Sequence, residues 1–285
     1  MLIFNPSIKY KGKSDMGIPF IKMHGLGNDF IIFDNITDPI ISDTTFLKRI
    51  ADRRFGIGCD QIMIIENTAK KENYKIKIFN CDGTETGACG NGTRCVADYI
   101  MKKENLNTIS IETTSGKLEC LLSDNGITVN MGIPKLGWQN IPLATQQDTS
   151  NILLDEFKAF CLSMGNPHAV IFMSNLNELE DLDLTLIGPR LEKNPIFPKY
   201  SNIEFAHVIE EGVIRMRVWE RGAGITLACG SGACATSVAA SLLGLSSKDN
   251  KIILDGGNLF IKWLKDDSVT LSGDTEKVFE GILGN

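Results

Sequence analysis

YKIKIFNCDGTETGACGNGTRC, residues 74–95, is written a second time in altered letters as IRMRVWERGAGITLACGSGAC, residues 214–234. The first seven positions of each follow one pattern: apolar, cationic, apolar, cationic, apolar, aromatic, polar. Alternation with period 2 predicts a half-buried β-strand. ACGNG at 88–92 and ACGSG at 228–232 lie 140 residues apart, the same offset as the strands before them. Working outward, LGNDF at 26–30 answers MGNPH at 164–168, and SGKL at 115–118 answers GGNL at 256–259. Four anchors in one order at nearly constant spacing form a two-copy repeat. Shared turn chemistry, which draws on few residue types, is the weaker explanation. The period is too long and the copies too few for a solenoid.

The fold expected is therefore α+β, a strand-rich α/β chain of two pseudo-symmetric domains with the active site in the cleft between them. The halves fall at 1–134, carrying Cys89, and 135–285, carrying Cys229, with a last strand that can return to the first half. Gly132-Ile133-Pro134 and the polar stretch TQQDTSN at 145–151 mark the linker. In each half a strand (75–80 or 213–219) enters a glycine-rich turn, which delivers a cysteine and then a helix (91–103 or 231–243). Helical spacing turns Val96, Ala97, Tyr99 and Ile100 inward in one and Val238, Ala239, Leu242 and Leu243 inward in the other. Further strands are expected at 29–34, 60–65, 109–114, 117–122, 126–131, 168–173, 203–209, 251–255, 258–264 and 268–272.

Composition narrows the function. Of 285 residues, 43% are hydrophobic and 22% charged, which excludes a mostly disordered chain. Asp and Glu outnumber Lys and Arg by 35 to 29, which argues against nucleic acid or an anionic membrane as the main partner. No apolar run reaches the roughly 18 residues of a spanning helix. MLIFNPSIKYKGKSDMG does not read as a signal peptide, so a cytoplasmic location is expected. The eight cysteines are then expected to be reduced. A metal is not expected: there is no CxxC pair, and His24, His168 and His207 form no HxxxH pattern.

Cys89 and Cys229 each sit just ahead of a helix, where unpaired N–H groups and the positive end of the dipole meet. That position is expected to lower a thiol pKa and to cradle a carboxylate. A lone cysteine reads as a small buried hydrophobe, and Cys95 and Cys234 keep that reading. Two cysteines in one symmetric glycine-rich context do not. If the halves face each other, one thiolate can remove an α-proton while the opposing thiol protonates the other face, inverting a carbon next to a carboxylate. Asn28 and Asn166 recur as paired GN asparagines, and Asn80 and Glu220 as paired strand ends. Arg221 can hold a second carboxylate bidentately. The bland readings are an asparagine bonded to its own backbone, a solvated Glu220–Arg221 pair, and for His168 a satisfied core histidine rather than one that tunes a thiol.

These residues resemble those of the diaminopimelate epimerase family. The matching strings are KMHGLGNDF (22–30), GCDQ (58–61), FNCDG (79–83), ACGNGTRC (88–95), VNMG (129–132), GNPHAV (165–170), GPRLE (188–192) and ERGAGITLACGSGACA (220–235). The resemblance implies a pyridoxal-phosphate-independent epimerase that needs no cofactor and interconverts LL- and meso-diaminopimelate for lysine and peptidoglycan precursors. It implies a homodimer, with Cys89 and Cys229 as the catalytic pair and His168 and Glu220 adjusting their pKa values. It also implies substrate binding by Asn28, Gln61, Asn80, Asn166, Asn202, Glu220 and Arg221, with Gly90, Asn91, Gly230 and Ser231 cradling the α-carboxylate. Two features depart from the pattern: 21 residues precede KMHGLGNDF, an extension without an assigned role, and Ala88 stands where a bulkier residue is expected. A proline-racemase-like enzyme and a thiol redox or binding protein are the rival readings.

Overall fold

The computed structural model describes residues 17–34, 43–66, 72–87 and 89–284. Ala88 and residues 1–16 lie outside the described residues, so the first sixteen positions of the extension and the departure at 88 do too. The first half contains β1 (Ile18–Gly25), β2 (Asn28–Asp34), α1 (Thr44–Ala51), β3 (Gln61–Glu66), β4 (Asn73–Asn80), β5 (Glu85–Thr86), α2 (Gly90–Glu104), β6 (Thr108–Thr113), β7 (Gly116–Ser123) and β8 (Gly126–Asn130). The second contains β9 (Ile152–Leu154), β10 (Phe157–Ser163), β11 (Pro167–Phe172), α3 (Leu176–Glu180), α4 (Leu184–Glu192), β12 (Asn202–Glu210), β13 (Val213–Glu220), β14 (Gly224–Ile225), α5 (Gly230–Leu242), β15 (Asp249–Leu254), β16 (Gly257–Trp263), β17 (Val269–Gly273) and β18 (Glu276–Leu283). The expected strand-rich α+β organisation in two similar halves is what the structure has.

Alternation builds each half in three layers. In β2, Phe30 and Ile32 face α2, while Ile31 and Phe33 face Phe46, Leu47 and Ile50 of α1. A strand buried on both faces reads as a continuous apolar run, which is why FIIF and IMII carry no polar positions. The second half repeats the plan: Val170 of β11 faces α5, and Ala169 and Ile171 face Leu184 and Leu191 of α4. In β4, Ile76 and Ile78 pack under α2; in β13, Ile214, Met216 and Val218 pack under α5. The intervening cations point the other way, where Lys77 pairs with Glu66 at 2.6 Å and Arg215 with Glu180 and Asp255.

The central strands pair in the same way in both halves: β2 with β3 and β11 with β12 run parallel, and β3 with β4 and β12 with β13 antiparallel. Two seams join the halves. β8 pairs antiparallel with β17, and β18 crosses back to pair with β1, with Ile18 opposite Leu283. Residues 18–21 of the extension are thus part of the first strand, and Phe20 and Ile21 are buried.

Two inward-facing expectations fail. Leu242 and Leu243 are 43% and 44% exposed, because α5 ends there and the chain turns away at Gly244, whose φ is +70°. Tyr99 is half-buried, its body against the α2 core and its hydroxyl 2.7 Å from Asp34. Sequence periodicity assigns a face but cannot say where a helix stops being covered. The elements whose ranges are not expected from the sequence are β1, β5, β9, β10, β14, β18, α1, α3 and α4, although α1 carries a helical period in Phe46, Leu47, Ile50 and Ala51.

A candidate active site at two facing helix N-termini

Cys89 and Cys229 are the N-cap residues of α2 and α5. Both have extended backbone, and each sulfur accepts from the N–H three residues on, Gly92 at 3.3 Å and Gly232 at 3.4 Å. A cysteine thus stands where Ser, Thr or Asp usually serves, and its sulfur is held at the open end of the helix. The second position of α2 crosses toward the other half, while that of α5, Ser231, stays with Asn166 and Cys229 of its own. Asn91 Nδ2 donates to the Ala228 carbonyl at 3.2 Å, the residue before Cys229, and to Asn28 Oδ1 at 3.2 Å. The two helix starts therefore meet, and all eight cysteines are free.

The paired asparagines are not bonded to their own backbones. Asn28 Oδ1 lies 3.9 Å from Cys89 Sγ, and its Nδ2 donates to Asp60 Oδ2 at 2.9 Å. Asp60 is held by Arg53, which also binds Asp29 at 2.7 Å, and Lys22 closes the cluster on Asp29 at 2.6 Å. Asn166 Nδ2 donates to Ser231 Oγ at 3.2 Å, and Ser231 Oγ lies 3.7 Å from Cys229 Sγ. His168, fully buried, contacts Asn166 Oδ1 at 2.9 Å and Glu204 Oε1 at 2.6 Å. It is a satisfied histidine, joined to the Cys229 thiol through Asn166 and Ser231.

Gln61 and Asn80 face each other across β3 and β4, with Gln61 Nε2 donating to Asn80 Oδ1 at 2.9 Å. Asn202 is different. It is buried, its Nδ2 donates to the Pro167 carbonyl and its Oδ1 accepts from the Arg221 N–H, so its amide is spent on holding the loop that presents Arg221. The Arg221 side chain is exposed and donates to the Lys199 carbonyl at 3.2 Å. Buried Glu192 fixes the same loop by accepting from the Gly222 N–H and the Trp219 indole, both at 2.8 Å. Glu220 accepts from Thr226 Oγ1 at 2.5 Å, and among the described residues it makes no ion pair with Arg221. Burial pushes the Glu220 carboxyl up from its ordinary range.

The expected lowering of the thiol pKa does not occur. Burial pushes Cys89 up to about 11, against the opposing pull of the Gly92 N–H, and Glu220 pushes it further. Burial raises Cys229 as well, and both Glu220 and Glu204 add to the rise. One N–H at a helix start recovers less than the removal of water costs a thiolate. Glu220 acts on both sulfurs, so this one carboxylate from the second half reaches both ends of the site.

Sequence reasoning missed Glu204, Asp60, Arg53, Glu192 and Thr226. Glu204 carried a legible signal, a carboxylate at an inward position of the apolar strand NIEFAHV. Asp60, Arg53 and Glu192 reach partners 24 or more residues away, and Thr226 reaches Glu220 across the turn between β13 and α5. Among the described residues, no group of three or more His, Cys, Asp or Glu is placed to hold a metal, and no helix is long and apolar enough to cross a membrane.

A family model described as diaminopimelate epimerase matches residues 20–137 and again 160–278. The chain is 46% identical over 272 residues to a diaminopimelate epimerase of Rhodospirillum centenum, covering 93% of this chain and 91% of that one. It is 44% identical over 270 residues to a diaminopimelate epimerase of Acidiphilium cryptum, covering 93% and 96%. Among solved structures, a phenazine biosynthesis protein of the PhzF family from Bacillus anthracis superposes with a TM-score of 0.65 at 15% identity, covering 93% of this chain and 98% of that one. A hydroxyproline epimerase from Agrobacterium vitis does so with a TM-score of 0.61 at 11% identity, covering 93% and 92%. These two share the fold.

Proposed function

The chain belongs to the diaminopimelate epimerase family, and from that premise we propose that Cys89 and Cys229 carry out the inversion as a two-base pair. The protein is an amino-acid epimerase, an isomerase that interconverts LL- and meso-diaminopimelate in lysine biosynthesis. One cysteine, as thiolate, takes the α-proton and becomes a thiol. The electron pair left on carbon delocalises into the α-carboxylate, which lies against the N–H groups of both helix starts at Gly90-Asn91 and Gly230-Ser231. The other cysteine gives its proton to the opposite face and becomes the thiolate. The pair ends with its protonation states exchanged, and two thiols supply base and acid without a cofactor. The observation that carries this reading is the symmetric N-cap placement of both sulfurs on helices whose starts are bonded together through Asn91.

Burial holds both thiol pKa values high, so the proton transfer depends on the substrate. Its α-ammonium brings a cation to sulfurs that otherwise see Glu220, and an opposite charge favours the thiolate. Asn28, Gln61, Asn80, Asn166, Glu220 and Arg221 hold the remainder of the substrate, with Arg221 on the distal carboxylate. Asn202 contributes by fixing the Arg221 backbone. His168 and Glu220 set the thiol electrostatics. The protein works in the cytoplasm and as a homodimer. In support of the homodimer, β18 pairs among the described residues with β1 alone and exposes Val278, Phe279 and Ile282.

Incubation with LL-diaminopimelate in deuterium oxide, with chelator present, tests the reaction. The meso product carries deuterium at the inverted carbon. A product with hydrogen there would refute the two-base mechanism, since the second thiol must deliver a solvent-derived proton.

A further inference from the structure

The two halves are alike in backbone but not in what lies under the two cysteines. β2 and β3 pair with Phe30 opposite Gln61, and β11 and β12 with His168 opposite Asn202. By this register His168 takes the place of Phe30, and Glu204 that of Met63. The helix glycines report the same exchange. A Cβ on Gly92 would lie 1.8 Å from Met63 Cε and 3.2 Å from Phe30, whereas one on Gly232 would lie 2.7 Å from Glu204 Oε1 and 3.2 Å from Cys229 Sγ. Cys89 thus rests over an apolar plug, and Cys229 over a buried carboxylate and imidazole. Each half steadies its asparagine differently: Asn28 is tied to the rim cluster of Asp60 and Arg53, and Asn166 to His168.

Counting protons along the second chain is informative. Asn166 donates with Nδ2 to Ser231, so its Oδ1 faces the ring and His168 Nε2 must carry hydrogen. The 2.6 Å contact between Nδ1 and Glu204 Oε1 needs a second hydrogen between them. Imidazole and carboxyl together therefore hold one shared proton and no net charge. Burial demands the same, since both residues are 0% exposed and Glu204 Oε2 has no hydrogen-bond partner among the described residues. The other titratable groups facing Glu204 are Cys161 on β10, Glu220 on β13 and Cys229 on α5.

We propose that Glu204 is a positioning residue for the epimerisation, acting through His168, Asn166 and Ser231 to hold the start of α5 around Cys229. It touches no substrate. With its partner on Nδ1, the ring keeps Nε2–H on Asn166, Asn166 keeps its amide on Ser231, and Ser231 stays beside the sulfur. Without it the ring loses its fixed tautomer, the Asn166 amide is free to turn over, and the thiol loses its register with the α-carbon. This rests on the two-thiol reading above.

The test compares Glu204→Met, the residue the first half uses at this place, with Glu204→Gln. Gln can donate to Nδ1 and leave Nε2–H on Asn166, so its kcat stays within about 5-fold of the unsubstituted enzyme. Met cannot, and its kcat falls about 100-fold, the scale of a misplaced reacting group, with KM changed far less. A purely structural role would lower the melting temperature of Glu204→Met and spare kcat in the folded fraction. That outcome, or a Gln variant as impaired as Met, overturns the proposal. Nitrogen-15 NMR of the ring in the unsubstituted protein supplies an arm independent of activity and of whether Glu204→Met folds. The expected spectrum shows His168 Nε2 carrying hydrogen, and a bare Nε2 overturns the proposal. If the unsubstituted protein fails to epimerise diaminopimelate, the functional reading falls, and the NMR result still decides whether Glu204 fixes the ring.

Discussion

Alkylation of Cys89 across a pH series decides whether the helix start or burial governs this thiol. The helix N-terminus offers about 0.3–1 kcal/mol to a nearby anion, and up to about 2 in partly buried geometry. Burial opposes it. A pKa pushed from 9.0 to about 11 corresponds to about 2.7 kcal/mol against the thiolate, at 1.36 kcal/mol per pH unit. At pH 7 only about one Cys89 in 10⁴ is then ionised, and the fraction grows tenfold with each pH unit. Because the thiolate is the nucleophile, the second-order rate of carboxamidomethylation at Cys89 should follow. Peptide-resolved mass spectrometry with iodoacetamide between pH 6 and 10 reads it directly, with exposed Cys81 as the accessible comparison. The expected Cys89 profile is a straight tenfold rise per pH unit with no plateau below pH 10. Cys229, only 5% exposed, should react more slowly at every pH. A plateau at or below pH 8 would refute the reasoning, because the helix start would then outweigh desolvation.

Three further outcomes follow from the same side chains. Burial pushes Cys59, Cys120 and Cys234 each up to about 12. Their folded pKa values exceed the unfolded ones, so their contribution to stability is intact below pH 9 and is lost as pH rises toward 12, at about 1.4 kcal/mol per group per pH unit. The melting temperature should therefore drop steeply between pH 9 and 11, and a flat profile there would contradict the desolvation of these thiols. Cys89→Ala and Cys229→Ala should each lower inversion by at least about 100-fold. Cys95→Ala and Cys234→Ala should keep activity with a modest loss of stability, and a Cys95→Ala enzyme as inactive as Cys89→Ala would undo the division into reactive and structural thiols. Arg221→Ala, at an exposed side chain, should fold normally and lose about 100-fold in kcat/KM on diaminopimelate, because distant contacts orient the reacting carbon. Comparable kcat/KM for proline and diaminopimelate in the unsubstituted enzyme would instead favour a proline-racemase-like site.

The sequence alone determined the repeat, the strands expected at 75–80 and 213–219, the helices that follow, and the cysteine at the start of each. These rest on local physics: alternation with period 2, glycine at turns, and the rule that a helix begins where a side chain can cap it. Only the tertiary structure decided what surrounds those starts. The exposure of Leu242 and Leu243 depends on which neighbours cover the end of α5. The rise of both thiol pKa values depends on water excluded by strands far away in the chain. The placing of Glu204 beneath Cys229, against Met63 beneath Cys89, appears only when β11 and β12 are laid in parallel register and compared with β2 and β3. Local patterns report what a residue's nearest neighbours in sequence allow. Desolvation and hydrogen-bond partnership are set by atoms brought close in space, and for Cys89 these include Glu220 from the opposite half.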